Sequence, residues 1–229
     1  MIDSMGLLGM TVAKAVEGSG GCAICYLAGE VGFRYVRTVL YEYVNDVSFR
    51  SRFSSSMGFC RQHWDTMLAQ PDLLGNGILL ESLVSQALGV VTSAREITDS
   101  SRSTGKGRRS CKVVSSPASR LRPCPVCDEE HAAEERYAWT LAQLIVRGFM
   151  PVDKAGSRVC LKHCLTTCAQ LPASQARDML AIMEKRLGDL QLRCREFVES
   201  FEYRHKGPKP PADVLYETVR TVNLASPIP

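Results

Sequence analysis

The chain has 229 residues, of which 45% are hydrophobic, and carries a net charge of +4. This is enough length for one large domain or two small ones, and enough apolar content to fill a core, which excludes a disordered tail. Its ten cysteines fall mostly in CxxC and CxxH pairs, a pattern of reduced metal-binding thiols rather than of a secreted disulfide framework, so the expected compartment is the cytosol.

An N-terminal segment, 1–20, comes first. Met1 to Val16 is mildly apolar but broken by Gly6 and Gly9 and lacks a basic leader and a small-residue cleavage site, so it reads as a weak helix or frayed end. No run approaches the roughly 18 apolar residues of a membrane span, so the expectation is a soluble chain without a membrane partner. "GSGG" at 18–21 precedes a CxxC rather than Lys-Ser/Thr and is read as a turn, not a phosphate loop.

The first unit, 21–99, opens on Cys22 and Cys25. Apolar periodicity predicts helices over Glu30–Phe49, Phe59–Gln70 and Gly77–Glu96, with Cys60 and His63 at the mouth of the second. A linker, 100–122, is rich in Ser, Gly and Pro and carries Arg102, Lys106, Arg108, Arg109, Lys112, Arg120 and Arg122 with no acid, leaving the rest of the chain at −3. It is expected to be a solvated connector, with weak nucleic-acid contact as a secondary property. The second unit, 123–206, has Cys124 and Cys127, helices predicted over Asp128–Gly148, Val159–Leu171 and Ser174–Tyr203, and Cys160 and His163 starting the middle one. A C-terminal segment, 207–229, begins with the "GPKPP" turn and ends in a short helix, Ala212–Asn223.

Laid side by side, the units repeat. Cys22 and Cys25 precede Cys124 and Cys127 by 102 positions, and Cys60 and His63 precede Cys160 and His163 by 100. Val36, Val39, Leu40, Tyr43 and Val44 fall opposite Ala138, Leu141, Ala142, Ile145 and Val146, the same helical face twice. The expected fold class is therefore all-α, with internally duplicated helical units, each carrying a Cys3His metal knuckle.

CxxC and CxxH together supply three sulfurs and one imidazole, the closed tetrahedral set that zinc prefers in structural sites. Two-residue gaps let each pair converge on one ion, and a helix N-terminus adds favourable amide dipoles to the thiolates. The metal ligands read from sequence are Cys22, Cys25, Cys60, His63, Cys124, Cys127, Cys160 and His163, for two zinc ions per chain. The spacing leaves open whether each ion is bound within one unit or whether Cys22 and Cys25 join Cys160 and His163. Arg61, Arg158 and Lys162 are nearby cations able to offset the excess negative charge. Cys164 and Cys168 align with Trp64 and Leu68 and are read as packing thiols; Cys111, Cys194, His131 and His205 are assigned no role.

The motifs "CPVC" at 124–127, "YEYVNDVSFRSRFSSSMGFCRQH" at 41–63 and "FVESFEYRH" at 197–205 resemble a prokaryotic family of uncharacterised proteins, a domain of unknown function with a duplicated CxxC…CxxH unit. The resemblance implies no activity. The second unit departs from it, with "RGFMPVDKAGSRVC" where the first has "NDVSFRSRFSSSMGFC".

Three functional classes remain. The first is a structural-zinc, all-helical interaction or regulatory module with an unidentified protein partner, consistent with the absence of a nucleophile–base pair, paired acids or a phosphate loop. The second is an iron–sulfur protein in electron transfer or redox sensing, since Cys3His can also hold a cluster. The third is a CxxC thiol oxidoreductase, which calls for a strand before the cysteines.

Overall fold

The computed structural model describes residues 6–103, 123–201 and 211–222. Most of the basic linker with Cys111, the segment holding His205, and all but the last residue of "GPKPP" lie outside the described residues. Most of the described residues are helical, and no strand occurs among them. The all-α expectation holds, and the strand that a thioredoxin-like CxxC requires is not found there.

In chain order the helices are α1 (Gly6–Gly18), α2 (Ala23–Thr38), α3 (Val47–Ser55), α4 (Arg61–Leu68), α5 (Leu73–Ser103), α6 (Pro125–Val146), α7 (Val152–Ser157), α8 (Leu161–Cys168), α9 (Ala173–Glu199) and α10 (Asp213–Val222). Two compact units are built from them: one comprises Met1–Glu30 and His131–Ile228, the other Val31–Glu130. Each unit takes residues from both sides of the linker, and the divisions fall within α2 and α6.

In the first unit, α1 is not a frayed end. Gly9, Val12, Ala15 and Val16 are buried at helical spacing, and Glu17 pairs with Lys154 at 2.7 Å. α9 packs on α7, α8 and α10, and Leu141, Ile145, Met179 and Met183 are almost fully enclosed. α7 is absent from the sequence expectation. It is only six residues long, shorter than periodicity can detect, and starts at Pro151, which is extended and can donate no amide. α6 stops because Gly148 takes φ 74°, with the Gly148 and Phe149 amides bonding back to Ile145 and Leu144 carbonyls.

In the second unit, the predicted helix Glu30–Phe49 is replaced by three pieces. α2 continues as one wide π turn, Val39–Tyr43, and the chain then restarts as α3. The restart has a local cause: the Asp46 carboxylate accepts the Phe49 amide at 2.7 Å and caps α3. α3 thereby sends Phe49 and Phe53 into a core with Phe59, Val36, Val39, Met67, Leu79 and Val126. The rings of Phe53 and Phe59 meet edge to face at 5.1 Å, and those of Phe59 and Trp64 at 5.3 Å. Between α3 and Cys60 the chain reverses through Met57 and Gly58, at φ 55° and 89°. Gly58 meets the second value without strain.

α5 begins four residues before its expected start and runs to Ser103. Leu73–Glu96 is long and apolar enough to cross a membrane by length and composition. Glu81 and several serines interrupt it, so no unbroken apolar run betrays it. One face of its N-terminal half is committed to protein: Leu79 is fully buried, Ser82 is bonded by Arg50, and Gln86 reaches the Ser54 carbonyl.

Candidate metal centres

Four of the expected ligands gather in each unit, in an exchanged pairing. Cys22 and Cys25 meet Cys160 and His163 in the first unit, and Cys60 and His63 meet Cys124 and Cys127 in the second; within each group all ligand atoms lie within 4.8 Å of one another. Of the two pairings that the spacing leaves open, the structure has the exchanged one: each CxxC is completed by the CxxH of the other half of the chain.

Helix ends place the ligands. Cys22 precedes α2 and Cys25 lies in its first turn, while Cys124 precedes α6, whose first residue is Pro125, a position where the missing amide costs nothing. Cys60 and Cys160 are the extended residues capping α4 and α8, with ψ 164° and 171°, and each histidine follows within the first turn. Every group thus sits at two helix N-termini, whose unpaired amides favour thiolate. In the first unit the register is tied by the Ala23 amide, which donates to the Arg158 carbonyl at 2.8 Å.

The atoms converge. His163 Nδ1 is 3.3 Å from the sulfurs of Cys22, Cys25 and Cys160, and Cys25 and Cys160 Sγ are 3.8 Å apart. His63 Nδ1 is 3.2, 3.4 and 3.6 Å from Cys60, Cys127 and Cys124, and Cys60 and Cys127 Sγ are 3.7 Å apart. These sulfur separations are far from the ~2.05 Å of a disulfide. Three sulfurs and one nitrogen around a common centre can hold one metal ion in each unit.

The other imidazole nitrogen reveals a feature that the sequence reading missed. His63 Nε2 lies 3.2 Å from Glu130 Oε1, and His163 Nε2 lies 3.3 Å from Glu134 Oε1. The second contact is poorly aligned: His163 Nε2 is buried and has no hydrogen bond of good geometry, so proximity to the carboxylate is its compensation. Both glutamates come from α6. Cys127, Glu130 and Glu134 are spaced three and four apart and share a helix face, a signal present in the sequence. Room for Glu130 is made by Gly32, where a Cβ would overlap its carboxylate. Lys162 binds Glu134 Oε2 at 2.7 Å, so this cation balances the glutamate. Arg158 bonds the Ser19 carbonyl, and Arg61 is exposed.

Charge follows from these contacts. Burial would lower the His63 and His163 pKa values, but bonds to Cys124 and Glu130 raise the first to about 10, and bonds to Cys160 and Cys22 with the nearby Glu134 carboxylate raise the second to about 11. Burial would raise Cys124, but bonds from His63 and from the Cys60, Cys127 and Val126 amides bring it down to about 7. Glu134, raised by burial, is pulled to about 2 by His163 and Lys162. The surroundings of both groups thus favour positive charge at their centre.

Cys164 and Cys168 are outside both groups. Cys164 is fully buried, its thiol pushed up to about 12 by burial, and Cys168 faces the Ala176 carbonyl at 3.7 Å. Cys194 contacts Thr218 Oγ1 at 3.2 Å, and the exposed His131 lies 3.5 Å from both Glu134 and Glu135.

A carboxylate behind a ligating histidine fixes its tautomer and raises its basicity, and loss of such a partner typically costs 10–100-fold in metal affinity. Glu134→Gln is expected to weaken the site of Cys22 and His163 by about that factor while sparing the other, and Glu130→Gln the reverse. Competition with a chromogenic chelator checks this, and equal affinities in both variants would reject the role.

No curated protein and no solved structure matches the chain. Residues 5–211 match the model of a family of unknown function, DUF6062. With nearly its whole length so covered, and with its cysteine pairs gathered into two ligand groups, the chain belongs to the DUF6062 family.

Proposed function

We propose that the protein is a zinc-stabilised helical interaction or regulatory module holding two structural zinc ions in a reducing compartment. The observation that carries this reading is the closed ligand set. Three sulfurs and one Nδ1 leave no fourth position for water or substrate, the mark of structural rather than catalytic zinc. A tetrahedron of ~2.3 Å Zn–S bonds has a sulfur–sulfur edge of about 3.8 Å, and the separations are 3.7 and 3.8 Å. In a four-iron cluster each terminal thiolate sits on a different iron and the sulfurs stand farther apart. The thiols described are all free, as metal ligation in a reducing compartment requires. Bound there, zinc would supply charge and cross-linking: it joins the start of α2 to that of α8, and the start of α6 to that of α4.

Metal analysis and an absorption spectrum of anaerobically purified protein test the reading. The expected result is colourless protein with about two zinc per chain. Brown protein with iron and acid-labile sulfide and no zinc would replace it with an electron carrier or redox sensor.

A further inference from the structure

In the first unit a cavity of about 550 Å³ opens beside Cys22 and Cys160, walled by the α7–α8 turn, α9 and α10. Small-molecule sites typically have about 300–1,000 Å³. Three arginines line it, Arg158 from the turn, Arg186 from α9 and Arg220 from α10. None of them makes an ion pair among the described residues. Arg186 is half-buried, yet its hydrogen bonds there all go to neutral acceptors: the Gly156 and Val159 carbonyls at 3.2 and 2.8 Å, and Thr221 Oγ1 at 3.4 Å. Arg158 donates to the Ser19 carbonyl at 3.2 Å. Uncharged groups thus fix both guanidinia in place and leave their charge uncompensated. A guanidinium presents five donors, so both keep N–H groups for a further acceptor.

Charge selects the ligand class. Asp213 and Glu217 also line the cavity, and Arg193 holds them from outside it, at 3.9 and 2.6 Å. These four arginines stand against two carboxylates and the one net negative charge of a Cys3His zinc group, three thiolates around a dication. One positive charge is left without a partner. A single carboxylate balances it, whereas a phosphate dianion would turn the balance negative. The planar fork of arginine also matches a carboxylate with two parallel bonds. Tyr216, whose ring is exposed, adds an aromatic wall for an apolar body. We infer that this cavity binds a small organic carboxylate, with its oxygens on the guanidinia of Arg158, Arg186 and Arg220 and its apolar part against Tyr216.

Ligand-observed NMR titration of the metal-loaded full chain with benzoate is expected to show saturable binding of about millimolar affinity, the range open to so few atoms. Benzamide, its uncharged counterpart, should bind about tenfold more weakly or worse. Arg158→Gln combined with Arg220→Gln should weaken benzoate by about tenfold or more, and Arg186→Gln should do the same. The exposed Arg177 does not line the cavity, so Arg177→Gln should change nothing. Helicity and metal content are followed in every variant. They reveal a misfolded Arg186→Gln, in which case the double variant, whose two side chains are exposed, decides. They also keep a failure of the carboxylate site apart from a failure of the zinc reading. Absence of saturable benzoate binding overturns the inference, and so does benzamide binding as tightly as benzoate or an unchanged affinity in the double variant. Phenyl phosphate binding more tightly than benzoate would overturn the carboxylate assignment in favour of phosphate.

Discussion

Cys22→Ser combined with His163→Ala is expected to cost one metal equivalent, whereas Cys22→Ser combined with Cys60→Ser is expected to cost two. The first pair removes two ligands of one site although 141 residues separate them. The second removes one ligand from each site although both residues lie in the same half of the sequence. Ligands bound within each repeat would give the opposite result. Structural zinc in small peptides is worth roughly 10–16 kcal/mol, comparable with or greater than the roughly 5–15 kcal/mol total stability of a domain. Each lost equivalent should therefore unfold the unit that held it. Helicity should fall in two steps across the series, and a fully helical chain with no metal would contradict a structural role for the ions.

The exchanged pairing explains which parts of this architecture were legible in the sequence. The eight residues of the two groups were legible as candidate ligands because CxxC and CxxH carry chemistry in their spacing, independent of tertiary context. Their partnership was not, because in a repeated pattern both pairings satisfy the same local spacing. What decides it is long-range packing, such as the Ala23 amide on the Arg158 carbonyl. The helical class followed from periodicity, and so did most helix centres. The break at Asp46 did not, since Val36, Val39, Leu40, Tyr43 and Val44 continue one apolar face up to it. A capping carboxylate and the demand of Phe49 and Phe53 for a core outweighed that pattern. The glutamates behind the histidines were missed for another reason: three or four acids in the first turns of a helix usually mean a solvated face. Only the position of Glu130 and Glu134 on the face of Cys127 separates them from Glu129 and Glu135.

Acidification should release both metals, with at least two protons taken up for each ion that leaves. Bound metal requires thiolates and neutral imidazoles. In the metal-free second unit, His63 is raised to about 10 and Cys127 is also raised, by burial first and then by the neighbouring thiolates of Cys124 and Cys60. In the first unit, His163 is raised to about 11 and Cys25 is raised by its bonds to Cys160 and Cys22. Both groups of each pair take up a proton as the metal leaves, so apparent affinity should fall by at least about 100-fold per pH unit below 7. If a unit unfolds as it loses its ion, ordinary thiol values near 8.5 apply and the sign is the same. The histidines do not themselves destabilise the metal-free fold in acid. Stability that they contribute is lost as pH rises through about 10 and 11, and in acid the share of His63 fades as the Cys124 thiolate that raises it is protonated near pH 7. Glu134 works in the other direction, stabilising above its ordinary 4.5 and failing only as pH falls through about 2. Metal loss should therefore precede titration of this carboxylate, and helicity should fall with metal content rather than with the protonation of Glu134. Zinc released to a chromogenic chelator, followed beside circular dichroism from pH 8 to pH 3, gives both curves. A release curve with a slope below two protons per ion, or metal retained at pH 3, would show that thiolate and imidazole are not what holds it.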